Sequence, residues 1–264
     1  MINIMFCGND RMFDGMLIAL LSIMKHTKET LNVYIITMDL TEQDPAFTKF
    51  TENHVKIIEK KLKEKNKDNR VTLIDAGDIY KNEMGNNKNN KTHYTPYIFL
   101  RLLADKMDLP EKLLYLDCDL VIYKDIKELF DIDMTDYEIA MALDYLGRKA
   151  INPKYMNSGV VLMNLKNIKE SGCFEDARQM CMTRKMVLPD QTALNDCCTK
   201  KIWLPDKFNE QNKRKEDTVI RHFSMRLNFK NYKPWMIEDV HKHYKIFDYD
   251  DIYEEYEKTL KENQ

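Results

Sequence analysis

The 264-residue sequence lacks several features that define specialised protein classes. It has no excess of positive charge, because 41 Lys and Arg residues stand against 43 Asp and Glu, giving a net charge of -2. This balance excludes a basic surface field for nucleic acid. No apolar run approaches the length of a membrane span, so we expect no stable membrane insertion. Residues 1–6 carry neither a basic segment nor a small-residue cleavage site, which argues against a signal peptide and predicts a cytoplasmic protein.

Cysteine occurs six times, but in no pattern that indicates disulfides or zinc. Cys7 and Cys118 lie in apolar runs, and the others lie in helix-like segments. Disulfide-rich domains and zinc sites show compact, paired spacings instead. The neighbours Cys197 and Cys198 have no second pair or nearby His at zinc spacing. We therefore expect reduced thiols.

Short apolar runs alternate with segments of helical periodicity in the first part of the chain. Runs at 2–7, 33–36 and 71–74 predict three strands, whereas apolar positions within 16–24 and 44–65 recur at helical spacing. This alternation is typical of a mainly parallel sheet flanked by helices. The length suits one substantial α/β domain, which we predict to span residues 1–264.

Two carboxylates interrupt the apolar run at residues 113–123, which has the length of a strand. An extended strand places Asp117 and Asp119 on the same side, and buried carboxylates are too costly to keep without a positive partner. Their oxygens suit a hard cation such as Mg²⁺ or Mn²⁺, whose remaining positions are commonly filled by substrate phosphates. The alternative is a solvated turn with Lys112 or Lys124 as surface partner. The apolar residues that continue beyond Asp119 favour the metal.

The sequence Leu-Tyr-Leu-Asp-Cys-Asp at 114–119 resembles the Leu-Tyr-Leu-Asp-x-Asp core of glycosyltransferase family 8. These retaining enzymes are related to bacterial lipopolysaccharide galactosyltransferases and to glycogenin. Residues 155–165 and 188–195 resemble two further family segments in the same order, and the resemblance extends from residue 2 to 235. It implies a Rossmann-like domain of the glycosyltransferase A type, a UDP-sugar donor such as UDP-glucose or UDP-galactose, and a carbohydrate-type acceptor.

The resemblance also implies roles for individual residues. The metal, Mn²⁺ or Mg²⁺, would be held by Asp117, Asp119 and His222. Catalytic residues at the transferred sugar would be Gln191, Asp190 and Asp144. The donor would be contacted by Cys7, Asn9, Asp10, Arg101, Asp117, Cys118, Asp119, Asn157 and Lys233. Lys233 would neutralise the leaving diphosphate, although residues 224–232 contain no Gly where the family has a short Gly-containing link.

Several of these residues have a purely structural alternative. Asn9 and Asp10 would serve equally well as helix caps, and Asp190 as an N-cap. A lone His such as His222 is more often a packed residue than a ligand. Arg101 stands in an apolar stretch from which it could extend its charged end to the surface. The structural alternative for Asp144 is a plain turn residue. Met12 stands where the family commonly has an aromatic residue stacked on the base.

The remaining segments complete the predicted plan. Residues 81–93 are polar and Asn-rich, and we predict a mobile loop there. In the family a loop near this point helps to cover the active site and shape the acceptor pocket; the alternative is an idle surface insertion. Helical periodicity covers 97–107, and strands are predicted at 139–143 and 220–223. A helical segment follows at 248–260.

The plan divides into a nucleotide-binding half (1–123), a sugar and acceptor half (124–235) and a C-terminal helical segment (236–264). It predicts a metal-dependent retaining hexosyltransferase acting on a glycan, lipid-linked or protein acceptor. One alternative is a haloacid-dehalogenase-like phosphohydrolase that uses Asp117 and Asp119, although three strand-helix units precede the pair. Another is a non-catalytic nucleotide-sugar or glycan-binding module of the same fold. The oligomeric state is not indicated by the sequence.

Overall fold

The computed structural model describes residues 1–90, 95–224 and 248–263. Lys233 lies outside these residues, so its predicted contact with the diphosphate stays a prediction. The strands are β1 (Ile2–Cys7), β2 (Leu31–Thr37), β3 (Arg70–Asp75), β4 (Lys112–Leu116), β5 (Leu120–Ile122), β6 (Ile139–Ala142), β7 (Val160–Asn164), β8 (Lys201–Leu204) and β9 (Ile220–His222).

Helices lie between most of these strands. The α-helices are α1 (Phe13–His26), α2 (Glu52–Lys65), α3 (Gly77–Met84), α4 (Lys127–Phe130), α5 (Gly147–Ala150), α6 (Leu165–Ser171), α7 (Cys173–Thr183), α8 (Pro189–Cys197) and α9 (Asp250–Lys261). The 3-10 helices are Asp10–Met12, Pro96–Lys106 and Asp206–Phe208. Within the described ranges, no helix is both long enough and apolar enough to cross a membrane.

The central sheet has the strand order β3-β2-β1-β4-β7-β6-β8. Strands β3, β2, β1 and β4 are parallel, β7 runs antiparallel between β4 and β6, and β8 is parallel to β6. Successive residues of β4 and β7 belong alternately to two apolar clusters, one on each face of the sheet. Both faces are therefore covered, and the prediction of a mainly parallel sheet flanked by helices is confirmed.

The apolar run 113–123 is not one strand, contrary to prediction. Strand β4 belongs to the central sheet, whereas β5 pairs antiparallel with β9 in a separate two-stranded sheet. Apart from the half-buried Lys112 both strands are buried, so their apolar residues read as one run interrupted by the acidic pair alone. The chain bends at residues 117–119, and the pairing of Leu120 with His222 brings the distant His beside the acidic pair.

The helix predicted over 44–65 begins only at Glu52. Thr51 is its N-cap and accepts a hydrogen bond from the amide of His54. Before it, the Asp44 side chain accepts from the amide of Ala46, as is typical of a local turn. The apolar residues that extended the helical period, Phe47 and Phe50, instead pack from irregular backbone against the two core clusters.

The segment predicted as a mobile loop, 81–93, is helical at its start and forms turns at 85–90. Helix α3 continues to Met84, and Asn87 and Asn89 are buried. The side-chain Nδ2 of Asn89 donates to the carbonyls of Cys181 and Arg184 at 2.8 Å each, and Asn87 Oδ1 accepts the backbone amide of Asn89. Asn89 thus satisfies backbone groups at the end of α7, a pairing that composition does not show. Residues 91–93 lie outside the described part of the chain.

Arg178 is expected to be a major source of stability. Its side chain is 1% exposed, and its Nη1 lies 2.6 Å from Asp105 while its Nε lies 3.0 Å from Glu83. Arg178→Leu leaves the largely enclosed Asp105 carboxylate unpaired, so we expect the free energy of unfolding to fall by about 3–5 kcal/mol. Urea denaturation measures this loss. Arg184→Leu, on an exposed side chain at the end of the same helix, is the control; an equal change in both variants would contradict the prediction.

Candidate functional site

Three potential ligand groups converge where the central sheet meets the small sheet. His222 Nε2 lies 3.0 Å from Asp119 Oδ1 and 3.7 Å from Asp117 Oδ2, and the three ligand atoms lie within 4.8 Å of one another. The aspartates are each about one quarter exposed, whereas His222 is buried. A ligand from solvent can therefore reach the two carboxylates, whereas the imidazole is enclosed by protein.

The donor set fits a divalent cation. Two carboxylates held this close repel each other, and a cation between them removes the repulsion. Carboxylate oxygens suit Mg²⁺ and Mn²⁺, and an imidazole nitrogen is also a common ligand of first-row divalent metals. Asp117, Asp119 and His222 are therefore the residues of this site that could hold the predicted metal.

Gly159 lies directly against His222. A Cβ atom at this glycine would stand 2.6 Å from His222 Nδ1 and closer still to Cε1. The Gly159 carbonyl also accepts the amide of Asp117 at 2.8 Å, which ties the backbone of the two motifs together. Glycine is required here for close approach, since any side chain would occupy the space of the imidazole.

Arg101 links Asp117 with Asp190. Its Nη2 donates to Asp117 Oδ1 at 2.9 Å, and its Nε lies 3.4 Å from Asp190 Oδ2. The side chain is 4% exposed and stacks on the Tyr115 ring at 4.1 Å, so it does not extend to the surface. Burial opposes the charge, yet Asp117, Tyr115 and Asp190 together hold the pKa of Arg101 above its ordinary value. Arg101 thus fixes two site carboxylates from within the core.

Asp190 is not a helix N-cap, because α8 has Leu188 as its N-cap and Asp190 lies in the first turn. The carboxylate is buried and lies 3.3 Å from the Ser158 hydroxyl. Burial raises the pKa of Asp190 above its ordinary value, and the neighbouring Arg101 opposes that rise. The side chain therefore belongs to the site network and not to the helix terminus.

Asp144, Asn157 and Gln191 form a buried amide-carboxylate group. Asp144 Oδ2 accepts from Asn157 Nδ2 at 2.9 Å and from Gln191 Nε2 at 3.2 Å. Its Oδ1 accepts the amides of Leu146 and Gly147, as a turn Asp would. The turn role and the contact with predicted site residues therefore coexist. Gln191 Oε1 accepts the amide of Ser158 at 3.1 Å, so both ends of the Gln amide are held.

The loop after β1 carries Cys7, Asn9 and Asp10. Asn9 is 1% exposed; its Nδ2 donates to the Ala46 carbonyl, and its buried Oδ1 has no hydrogen-bond partner in the described ranges. Asp10 Oδ1 accepts the amide of Thr51 and lies 2.6 Å from His54 Nδ1. Neither side chain caps the helices that follow, so the capping alternative is wrong.

The thiols beside the site are kept neutral by their surroundings. Burial raises the pKa of Cys7 far above its ordinary value, and burial raises the pKa of Cys118 in the same direction. The nearby Asp117 carboxylate adds to both shifts. Neither thiol is therefore a nucleophile or a thiolate ligand at neutral pH.

A second group of potential metal ligands is made of Glu138, Cys173 and Cys198, all buried. Glu138 Oε2 accepts the amides of Thr199 and Lys200, and the Cys198 thiol donates to Cys173 across 3.4 Å. Hydrogen bonding to Cys198 lowers the pKa of Cys173. These contacts account for the group as part of the core, and we assign no metal to it.

The family is decided by comparison with known proteins. The family model described as "Glycosyl transferase family 8" matches residues 3–239. The chain belongs to glycosyl transferase family 8. This membership confirms the resemblance that the three motifs indicated.

Relatives and solved structures agree with this assignment of the family 8 chain. "Probable glycosyl transferase Gly" of Streptococcus gordonii is 27% identical over 180 residues, which are 63% of this chain and 26% of the relative. "Lipopolysaccharide 1,2-glucosyltransferase" of Escherichia coli (strain K12) is 28% identical over 165 residues, covering 52% of this chain and 48% of the relative. The chain thus spans less than half the length of either relative.

The fold of the family 8 chain matches that of a solved galactosyltransferase. The structure of LgtC "in complex with donor and acceptor sugar analogs" superimposes with a TM-score of 0.71 at 17% identity, covering 97% of this chain and 96% of that one. The likeness confirms the predicted glycosyltransferase A-type architecture with its mainly parallel central sheet.

Most predicted site residues of this family 8 chain lie in one connected network. Hydrogen bonds and ion pairs join Asp117, Arg101, Asp190, Ser158, Gln191, Asp144, Asn157, Asn209 and His222. Asp119 adjoins it through His222. Asp10 faces α2 instead, since its described contacts are with Thr51 and His54.

Sequence reasoning missed two members of this network. Ser158 stands inside a quoted motif, but no role was assigned to it. Asn209 is 1% exposed and lies in an irregular polar segment after the 3-10 helix Asp206–Phe208. No period, cap signal or turn pattern marks it, so no signal in the sequence alone identifies it.

Proposed function

We propose that this glycosyltransferase is a retaining, metal-dependent hexosyltransferase that moves glucose or galactose from a UDP-sugar to a carbohydrate-type acceptor. The observation that carries the proposal is the convergence of Asp117, Asp119 and His222 on a buried polar network. Asp190 and Gln191, at which we place the transferred sugar, belong to the same network, and Arg101 joins Asp190 to Asp117. A diphosphate bound at the metal group would thus place its attached sugar near Asp190 and Gln191.

The metal group must offset the negative charge of the diphosphate as it leaves the sugar. Mn²⁺ or Mg²⁺ held by Asp117, Asp119 and His222 would supply positive charge opposite the diphosphate. Arg101 and the Tyr115 hydroxyl both donate to Asp117 Oδ1, which fixes the direction in which that carboxylate presents Oδ2. Lys233, when it lies at the diphosphate, would add electrostatic stabilisation.

Retention is assigned to attack on the same face from which the diphosphate leaves. Gln191, which the family resemblance puts beneath the anomeric carbon, is a weak nucleophile as an amide, and its Nε2 and Oε1 are both hydrogen-bonded. The acceptor hydroxyl oxygen bonds to the anomeric carbon as the bond to the diphosphate breaks. The hydroxyl proton passes to a diphosphate oxygen. We assign to Asp190, Asn157 and Asp144 the positioning of the sugar, either by contact or through neighbouring side chains of the site.

Asn9 supports a uracil base in the donor. An unpaired buried acceptor costs about 1–3 kcal/mol, and an N–H of a bound base would remove that penalty for Asn9 Oδ1. The uracil imide has such a donor. Cys7 and Cys118 line the same region as packing residues, and Asp10 supports the loop. We propose UDP as the nucleotide for this reason.

The names of one relative and one solved structure support a sugar acceptor. LgtC is named with donor and acceptor sugar analogs, and the Escherichia coli relative is named for lipopolysaccharide. The cytoplasmic location and the three-part division at residues 123 and 235 stay predictions.

The non-catalytic alternative differs from the proposal in one result: it would bind the donor but show neither sugar transfer nor donor hydrolysis.

A thermal-shift screen of nucleotide sugars with and without Mn²⁺ tests the proposal. A ligand at about 100 times its Kd stabilises the native state by about 2.7 kcal/mol, which corresponds to a rise in Tm of about 5–10 °C. We expect that rise for a UDP-hexose only when Mn²⁺ is present. Equal shifts for UDP- and GDP-sugars, or shifts independent of metal, would contradict the proposal.

An analogue tests the base contact in the same screen. UDP methylated at N3 of uracil lacks the N–H, so Asn9 Oδ1 would stay unpaired and we expect affinity to fall about 5- to 150-fold, or 1–3 kcal/mol. Isothermal titration measures the ratio, with 5-methyl-UDP as the control of equal size. Equal losses for the two methyl groups would point to size and not to the missing donor.

A further inference from the structure

Asn209 stands between the metal group and the sugar-positioning group. Its Oδ1 lies 2.9 Å from His222 Nδ1, and its Nδ2 donates to Asn157 Oδ1 at 2.9 Å. Asn209 is 1% exposed and His222 is 3% exposed, so neither contact competes with bulk water. The side chain is thus an enclosed link between two parts of the site.

A backbone amide fixes the direction of the hydrogen bonds in this link. The amide of Gly159 can only donate, and it donates to Asn157 Oδ1 at 2.9 Å. Asn157 Nδ2 in turn faces the acceptor Asp144 Oδ2. The hydrogen-bond partners of Asn157 therefore determine which of its side-chain atoms is the oxygen and which is the nitrogen.

The same logic determines the proton on His222. Because Asn157 offers an oxygen, Asn209 must present its Nδ2 to Asn157 and its Oδ1 to His222. An oxygen facing Nδ1 requires a proton on Nδ1. Asp119 Oδ1, 3.0 Å from Nε2, can accept a second ring proton, and a divalent cation bound by Asp119 and Nε2 would take the place of that proton.

We infer that Asn209 is a positioning residue that holds His222 in the tautomer with the proton on Nδ1, so that Nε2 is available as a metal ligand. The inference rests on the proposed function for the identity of the metal group. A hydrogen bond to the ring nitrogen that does not bind the metal sets the tautomer and orientation of a metal-binding histidine. Loss of such a bond typically weakens metal affinity 10- to 100-fold. Through Asn157 the same side chain is joined to Asp144 and Gln191.

Three variants separate this role from packing. Asn209→Leu removes both hydrogen bonds, and we expect Mn²⁺ affinity, measured from the electron paramagnetic resonance of free Mn²⁺, to fall 10- to 100-fold. Asn209→Asp keeps an oxygen for Nδ1 and should restore affinity to within about threefold of wild type. Asn69→Leu is the matched control, since Asn69 is equally buried but bonds Leu31 and Leu62. Urea denaturation confirms that each variant is folded.

Unchanged Mn²⁺ affinity in folded Asn209→Leu would overturn the inference, as would equal losses in the Leu and Asp variants. Nitrogen-15 NMR of labelled histidine gives a second readout that needs no donor, with His222→Gln to assign the signal. With Mg²⁺ bound we expect the neutral ring to carry its proton on Nδ1. A proton on Nε2 would overturn the inference alone, whereas wild-type protein that binds no Mn²⁺ would count against the proposed function.

Discussion

Asp119→Asn is expected to abolish metal-dependent binding of the donor and to lower sugar transfer about 1000-fold. The change keeps the size of the side chain and removes its charge, and a carboxylate ligand of this kind is worth about 4 kcal/mol to the transition state through the metal that it holds. Asp119 is partly exposed, so the fold should be unaffected. Single-turnover transfer and Mn²⁺ titration measure the two losses.

The matched control is Asp136→Asn, which removes one charge from an exposed aspartate in the same part of the chain. It should keep wild-type transfer and wild-type Mn²⁺ affinity. Asp119→Asn protein that transfers sugar at more than one tenth of the wild-type rate would show that Asp119 is not a metal ligand during the reaction.

Gly159→Ala is expected to remove His222 from the site without unfolding the chain. The added methyl group would stand 2.6 Å from His222 Nδ1, and the buried imidazole has no solvent space to move into. Gly159 is not among the glycines with positive φ, so alanine meets no backbone strain and the effect is steric. We expect Mn²⁺ affinity to fall at least 100-fold, about 3 kcal/mol.

Gly172→Ala is the complementary control. Gly172 has a φ of 72°, with open space around the position of the missing Cβ. Alanine there should lower the free energy of unfolding by about 1–2 kcal/mol through backbone strain while leaving Mn²⁺ affinity unchanged. Comparing the two variants separates a local clash at His222 from a general loss of stability. Retention of full Mn²⁺ affinity by Gly159→Ala would contradict the placement of His222.

Residue types and motif order predicted the family and most members of the site, because each motif is contiguous in sequence. The acidic pair shows the limit of this reasoning. Asp117 and Asp119 were predicted to lie within one strand, since two largely buried strands in succession give one apolar run. Only the pairing of β5 with β9 shows that the chain bends between the carboxylates.

Residues whose role depends on distant partners could not be predicted. Asp10 contacts His54, 44 positions away, and no local pattern joins the two residues. The burial of Asn89 was not predicted, because an asparagine has the same composition signal whether it is solvated or bonded to buried carbonyls. Asn209 had no signal at all. These contacts are set by tertiary packing, which composition and periodicity do not encode.

A crystal soaked with Mn²⁺ and UDP tests the central claim most directly. We expect an anomalous peak bonded to oxygens of Asp117 and Asp119 and to Nε2 of His222, with the diphosphate completing its coordination. A nucleotide bound elsewhere, or a peak that leaves the two carboxylates against packed protein, would contradict the account.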